Sequence, residues 1–318
     1  MDGLIRMDLI QPMEPILEDR IVTGDEWIHQ IKWDGIRGIT YIEAGKIHLF
    51  TKKGRERTAY YPELESLKNL FKGDQAILDG ELIVLDESDK PSFEDILKRE
   101  RIKTDKNLKY YTTKYPIKYV VFDLLALNGN DIRKQPLNVR KELLVNQLEQ
   151  DDTIAITDDF KDGNKLMALM KDRGWEGIVS KKINSYYSPG KSHHDWIKTK
   201  IYKKILTVVG GIRWKNGVPS SLLLGVFRNQ KLSYVGKVNA VFKEGDLVLL
   251  NDYLVHLQQK HSPFVDNVDN KGVIWLKPIL TCWVQFMEWT SDFKLRHPKI
   301  LGFSTLKPQK ADGTEWVL

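Results

Sequence analysis

The sequence predicts a chain of the α+β class in two parts. Three observations carry this: strand-like runs and helix-like patterns interleave through the first two thirds, the pattern turns to short strands beyond Lys200, and 318 residues suit about two domains. In the first part, apolar β-rich runs stand at Glu26–Ile31, Gly38–Tyr41, Ile47–Thr51, Ala76–Leu85, Tyr119–Leu124 and Gly177–Ser180, with Ala44-Gly45 as a hairpin turn. Ser92 caps a helix running through Arg99. Asn138–Leu148 and Asn164–Asp172 repeat apolar residues at helical spacing, the second stopped by Gly174. The boundary falls near Tyr202. Beyond it, Ile205–Val209, Ser221–Phe227 and Leu232–Val238 read as short strands between Gly, Asn and Pro turns, Glu244–Gln259 as one amphipathic helix, and Cys282–Trp289 as a last long strand. Several strands around one helix in about 115 residues suit a small Greek-key barrel such as the OB-fold.

With 42% hydrophobic, 29% charged and 10% aromatic residues, the composition is that of a folded soluble protein. Cys282 is the one cysteine, which excludes an intramolecular disulfide and zinc sites built on several thiolates, and suits a reducing compartment. No run approaches the roughly 18 apolar residues of a membrane span. Met1 to Met13 carries Asp2, Arg6 and Asp8 where a signal peptide needs an unbroken apolar segment, so the expected location is the cytoplasm, with no membrane partner. The net charge of +6 and a pI near 9.0 point to an anionic partner. Between Lys181 and Lys215 stand nine basic residues against the single acid Asp195, interleaved with Tyr186, Tyr187, Trp196, Tyr202 and Trp214. That mixture suits a phosphate backbone and stacked bases, a solvated basic surface being the equal alternative for this segment alone.

The sharpest local signal is Lys32-Trp33-Asp34-Gly35-Ile36-Arg37, directly after a predicted strand. At average residue usage K-x-D-G-x-R arises by chance in roughly 0.005 of chains of this length. A lysine becomes a nucleophile when burial and a neighbouring cation such as Arg37 disfavour its charged form. Asp34 could position the amine, and Gly35 would let backbone approach a ligand; a surface strand ending in a turn is the plainer reading. Asp79-Gly80-Glu81 and Glu176-Gly177-Ile178-Val179-Ser180-Lys181 each set a carboxylate beside glycine, where it could hold Mg²⁺ or a ribose hydroxyl, or simply close a turn. In Trp196-Ile197-Lys198-Thr199-Lys200 alternation puts Trp196 and both lysines on one face of a strand. Two ammonium groups aimed together suit a triphosphate, and an amphipathic edge strand suits the spacing equally. Phe122 could stack on a base, although a strand phenylalanine is more often core. There is no Walker A loop, no G-x-G-x-x-G and no H-E-x-x-H, and His193-His194 lacks partners for a zinc site.

Together and in this order, these fragments resemble the motifs of the covalent nucleotidyltransferase superfamily, and most closely those of ATP-dependent DNA ligases. The resemblance spans nearly the whole chain. Lys32 falls on the family's adenylated lysine, Thr51-Lys52-Lys53-Gly54 resembles the next motif, Asp79-Gly80-Glu81 the third, Phe122-Asp123 the adenine-stacking segment, Glu176–Lys181 the fourth and Trp196–Lys200 the fifth. Met287-Glu288-Trp289-Thr290 and Leu295-Arg296-His297-Pro298 are similar to the final motif of ligase domains in bacterial end-joining enzymes of the ligase D type and their stand-alone relatives. Lys52 stands where the family commonly has arginine, and Gln30 where a glutamate often precedes the nucleophile by two. Ser304-Thr305-Leu306-Lys307 keeps only the lysine of the family's closing basic cluster.

The resemblance implies a nucleotidyltransferase (adenylation) domain over residues 1–201, ATP-grasp-like with antiparallel sheets and flanking helices, and an OB-fold over 202–318. It implies that Lys32 attacks the α-phosphorus of ATP to give a lysyl-AMP and release pyrophosphate, that AMP then passes to the 5′-phosphate of a nick, and that the 3′-hydroxyl displaces it. Lys198 and Lys200 join Lys32 as catalytic groups. Gln30, Ile31, Arg37, Lys52, Glu81, Phe122, Trp196 and Arg296 would bind the nucleotide with them, Arg296 from a mobile OB domain that clamps ATP and swings away. Glu81 and Glu176 would hold Mg²⁺ or Mn²⁺. The implied partners are nicked or broken duplex DNA and a Ku-like end-binding protein, with the enzyme a monomer in DNA repair. An RNA ligase or GTP-using capping enzyme shares the lysine motif, and a non-catalytic nucleic-acid-binding protein is the distant alternative.

Overall fold

The computed structural model describes residues 9–239 and 256–318, and the chain divides into two compact units, Met1–Lys200 and Ile201–Leu318. The first unit is built on two sheets. The six-stranded sheet runs in the order Lys46–Thr51, Ile36–Glu43, Gln75–Val84, Ile117–Leu127 and Asn130–Asp131, all antiparallel, with Ile154–Ile156 added in parallel beside Ile117–Leu127. The four-stranded sheet runs Glu14–Leu17, Ser192–Lys200, Gly177–Lys182 and Trp27–Ile31.

Both faces of the larger sheet are covered, and its central strands are therefore almost continuously apolar rather than alternating. One face packs Leu49, Leu78, Leu82, Tyr119, Val121 and Leu124 against Tyr61, Leu64, Leu67, Ile96 and Leu144 from the helical segments. The other packs Ile39, Ile77, Phe122 and Leu125 against Met13, Tyr187 and Trp196, which belong to or adjoin the smaller sheet. Pairing between Gln75–Val84 and Ile117–Leu127 slips on both sides of Asp79–Asp123, so Phe122 and Leu124 lie in different cores although two residues apart.

Two helices form where their caps predict. The Ser92 side chain accepts from the Asp95 amide ahead of Phe93–Glu100. Asp162 caps Gly163–Arg173, and Gly174 ends it at φ +64°. Leu137–Gln147 buries Arg140 and Lys141 as well as leucines. Arg140 and Asp123 are both fully buried and paired through two bonds, Nε to Oδ1 at 2.7 Å and Nη2 to Oδ2 at 2.8 Å, while Nη1 donates to the Gln135 and Ser185 carbonyls. Glu14–Leu17, Leu108–Lys114 and Ile154–Ile156 are elements the sequence pattern did not predict, being short and without a clear period.

The second unit is an OB-fold centred on the 13-residue strand Lys203–Lys215. That strand pairs antiparallel with Val218–Arg228, Val273–Leu276, Thr281–Phe286 and Glu315–Val317. Lys231–Asn239 extends the sheet on one side and Lys299–Ser304 on the other, around a core of Ile205, Val209, Leu222, Leu224, Val226, Val284 and Phe286. The expected last strand Cys282–Trp289 is corrected: it ends at Phe286, and two further strands follow. Beyond Phe286 the chain folds back on itself, Trp289 bridging Leu295 and the Arg296 amide donating to the Glu288 carbonyl at 2.9 Å. The expected helix Glu244–Gln259 lies, up to residue 255, outside the described residues; Gln258–Gln259 is strand, paired with Val273–Leu276. Among the described residues no helix is long and apolar enough to cross a membrane.

Removing one member of a buried pair strands the other's charge. Arg140→Leu should lower the stability of the first unit by about 3–5 kcal/mol in a chemical denaturation series, and a loss below 1 kcal/mol would show that Asp123 is not dependent on it.

Candidate active site

Lys32 leaves the end of Trp27–Ile31 with its amide bonded to the Gly177 carbonyl at 3.0 Å. This bond sets Glu176 beside it. Gly177 has φ +141°, and a Cβ there would stand 2.2 Å from the Thr199 carbonyl oxygen, so only glycine lets this turn lie against the end of Ser192–Lys200. The close approach brings Glu176 within reach of two lysines: its Oε2 is 2.5 Å from Lys32 Nζ and its Oε1 2.8 Å from Lys200 Nζ. The glutamate side chain is buried at 4% exposure, and each lysine keeps 19%.

A cleft of about 790 Å³ opens at this lysine. Of the residues expected at a nucleotide site, Gln30, Ile31, Lys32, Arg37, Lys52, Glu81, Phe122, Trp196 and Lys198 line it. Glu176 and Lys200 reach it through their bridge to Lys32. Arg296 belongs to the other unit, where Nη1 pairs with Glu288 Oε1 at 2.6 Å. Lys52 makes an exposed pair with Glu14 at 2.6 Å.

Arg37 is held differently from the simple reading that it would discourage a charge on Lys32. Its Nε and Nη2 grip Asp79 at 2.5 and 2.6 Å, so its own charge is compensated. Burial disfavours the guanidinium cation, but Asp79 outweighs this and holds it above its ordinary pKa. Its planar group lies 4.5 Å from the Phe122 ring centre. Phe122 meets Trp196 edge-on, their ring centres 6.3 Å apart, forming an aromatic floor.

Three charged groups in the cleft are shifted from ordinary behaviour. Burial pushes the Glu81 carboxyl up to about 8 despite Arg37 and Lys32, and it has no hydrogen-bond partner among the described residues. Burial, then the like charges of Lys32 and Lys200, pull the Lys198 amine below the usual lysine value. Burial also brings Lys181 down to about 7, with Asp123 opposing and Lys141 and Arg37 adding to the fall. The Lys181 amine sits 3.9 Å from the Trp196 ring centre and 4.3 Å from that of Phe122, with no hydrogen-bond partner.

Lys181, which the sequence presents as one charge of a basic segment, is not on the solvated surface but buried on the cleft floor. Others of the nine are also engaged, Lys203 with Glu315 and Arg213 with Asp269, while Trp196 and Tyr187 are core. The segment is therefore not one continuous solvated track, because strand alternation turns half its residues inward. Lys141 and Asp159, which hold Gln30 from behind, gave no sequence signal beyond being polar.

A partly exposed lysine amine bridged to a buried carboxylate, with further lysines beside it and an aromatic floor below, suits transfer of a nucleotidyl group. Family comparison agrees with it. Residues 9–200 match the model described as the ATP dependent DNA ligase domain, and residues 215–307 that described as the ATP dependent DNA ligase C terminal region. The chain belongs to the ATP-dependent DNA ligase family, a family of ATP-using enzymes. It is 33% identical over 300 residues to the multifunctional non-homologous end joining protein LigD of Mycolicibacterium smegmatis, covering 92% of this chain and 37% of that protein. To a DNA ligase of Methanococcoides burtonii it is 30% identical, covering 98% of this chain and 57% of the other. The chain thus spans between about a third and just over half of the length of these relatives. Among solved structures, a mycobacterial DNA ligase D complexed with ATP and MES superposes with TM-score 0.54 at 28% identity, covering 95% of this chain and 97% of that one.

The unfolded chain keeps a proton on Lys181 up to its ordinary pKa, whereas the folded chain releases it near 7. Its burial therefore costs the fold most below pH 7 and progressively less as pH rises toward 10. Lys181→Met should raise the melting temperature more at pH 6 than at pH 9; an equal gain at both would show that the amine does not titrate in this range.

Proposed function

We propose that the chain seals breaks in duplex DNA through a lysyl-AMP intermediate, with Lys32 as the nucleophile. The observation that carries this is the Lys32–Glu176–Lys200 bridge at the mouth of a cleft with a stacking floor. In this reading adenine lies against Phe122 and Trp196, the neutral Lys181 amine offers the base edge a hydrogen bond, and Lys198 and Lys200 stabilise charge building on the α-phosphate. Lys52 extends the positive wall for the outer phosphates.

No group of three or more metal-ligating side chains exists among the described residues, so a protein-only metal cage is not available. Glu81 and Glu176 nevertheless fit Mg²⁺ or Mn²⁺, which use one or two carboxylates with phosphate oxygens and water completing the set. The strongly raised Glu81 carboxyl, without a hydrogen-bond partner, is a group that a cation would hold ionised. When bound there, the metal would neutralise charge on the phosphates as a Lewis acid.

The names of the LigD relatives support end joining beside nick sealing; we further propose that a Ku-like protein delivers the ends and assign the chain to cytoplasmic DNA repair, acting as a monomer. After AMP transfer to the 5′-phosphate, attack of the 3′-hydroxyl would release AMP and form the phosphodiester bond.

Mixing the protein with α-labelled ATP and a divalent metal should give a denaturation-stable adduct that maps to Lys32. Lys32→Arg should give none, since a guanidinium keeps its proton at neutral pH; labelling of that variant would exclude Lys32 as nucleophile. Binding to nicked duplex should weaken linearly in log Kd against log salt, as phosphate contacts release counterions, and a flat salt series would count against a backbone-tracking surface.

A further inference from the structure

The cleft wall upstream of Lys32 contains a neutral group whose orientation the fold determines. A primary amide has a donor end and an acceptor end, and which one faces a ligand decides what it recognises. Gln30 is buried, at 2% exposure, and lines the cleft. Its Nε2 donates to Asp159 Oδ1 at 2.7 Å. The Lys141 ammonium, which can only donate, bonds to the same oxygen at 2.7 Å, so that oxygen is the acceptor in both contacts. Asp159 therefore takes the amino end of Gln30 and leaves the carbonyl end, which has no partner among the described residues.

Asp159 is itself fixed in place. Its neighbour Phe160 exchanges two backbone hydrogen bonds with His29, both 2.8 Å, laying the segment along Trp27–Ile31. The Thr157 carbonyl takes a second bond from Lys141 at 3.1 Å, and the Thr157 hydroxyl accepts from the Trp33 indole at 3.2 Å. A carbonyl oxygen repels phosphate, so this stretch of wall does not suit the triphosphate. Beside the Phe122 and Trp196 rings it suits the edge of a stacked base that has a hydrogen to give. Adenine presents an amino group at C6, whereas guanine presents an oxygen acceptor there.

We propose that Asp159, paired with Lys141, is a positioning residue that holds the Gln30 carbonyl toward the cleft and so sets a preference for a 6-amino purine over a 6-oxo purine. The inference rests on the nucleotide reading of the cleft and adds to it the group that orients its base-recognition element. Without Asp159 the Gln30 amide is free to turn and offer its amino end to a 6-oxo group.

The test compares the rate of lysyl-nucleotide formation, as kcat/KM, for ATP, GTP and purine riboside 5′-triphosphate, which lacks the 6-amino group. Asp159 keeps 33% exposure, so both Asp159→Leu and the smaller Asp159→Ala are accommodated when Lys141→Met accompanies each and leaves no buried ammonium without its carboxylate. In either variant the preference for ATP over the purine analogue should fall by about threefold to tenfold, the worth of one hydrogen bond, and GTP should gain on ATP. Gln30→Met, which lacks both polar ends, should lose the preference for ATP over the analogue without the gain for GTP. A purely structural role for Asp159 would depress all three nucleotides alike, and unchanged ratios in a folded Asp159 variant would overturn the assignment. An absent adduct in the parent chain with all three would instead remove the nucleotide reading, and this one with it.

Discussion

The Arg37–Asp79 pair is the interaction on which the cleft depends. Arg37 and Asp79 come from adjacent strands of the larger sheet, and the pair reaches out of that sheet in two directions. Arg37 Nη2 donates to the Met13 carbonyl, and the Tyr187 hydroxyl donates to Asp79 at 2.6 Å while accepting from the Met13 amide. Met13 leads into Glu14–Leu17, and the stretch after Tyr187 leads into the strand carrying Trp196, Lys198 and Lys200. One buried pair thus joins the two sheets and sets the spacing of the cleft between them. Its value depends on geometry, because Asp79 is fully buried and must be satisfied by Arg37 and Tyr187 together.

Charge in the cleft is compensated unevenly, some groups being held in tight pairs and others left without a hydrogen-bond partner among the described residues. Arg37 and Arg140 each hold a buried aspartate through two bonds. Lys198 and Lys181 are pulled toward neutrality, and Glu81 is pushed toward protonation. Such groups weaken the isolated fold and are retained where a ligand supplies the missing charge or hydrogen bond. Lys32 and Lys200 share one carboxylate, that of Glu176.

The OB-fold achieves its shape by a different route. A single long strand, Lys203–Lys215, serves four partners, with register slips at Val209/Gly211 and Arg213/Trp214 that let it bend around the core. Basic residues that read as one run along the chain are consequently dispersed, some paired and some exposed.

Much of this protein was written in local patterns. Alternation and apolar runs located six of the first unit's strands, Ser92 and Gly174 bounded their helices, and the ordered fragments from Lys32 to Lys200 pointed to nucleotidyl transfer through their resemblance to a known family. Tertiary structure decided what those patterns could not express. Lys181 and Lys182 are neighbours of identical type, yet only burial between two aromatic rings makes Lys181 a near-neutral amine. Arg37 is a cation in the sequence and a compensated strut in the fold. Asp159 lies 129 residues from Gln30 and meets it only when the chain closes. Sequence determined which groups are present and which stretches are strand or helix; solvent exclusion and long-range pairing determined which charges survive and what each one faces, because dielectric environment and hydrogen-bond partners are properties of the packed structure.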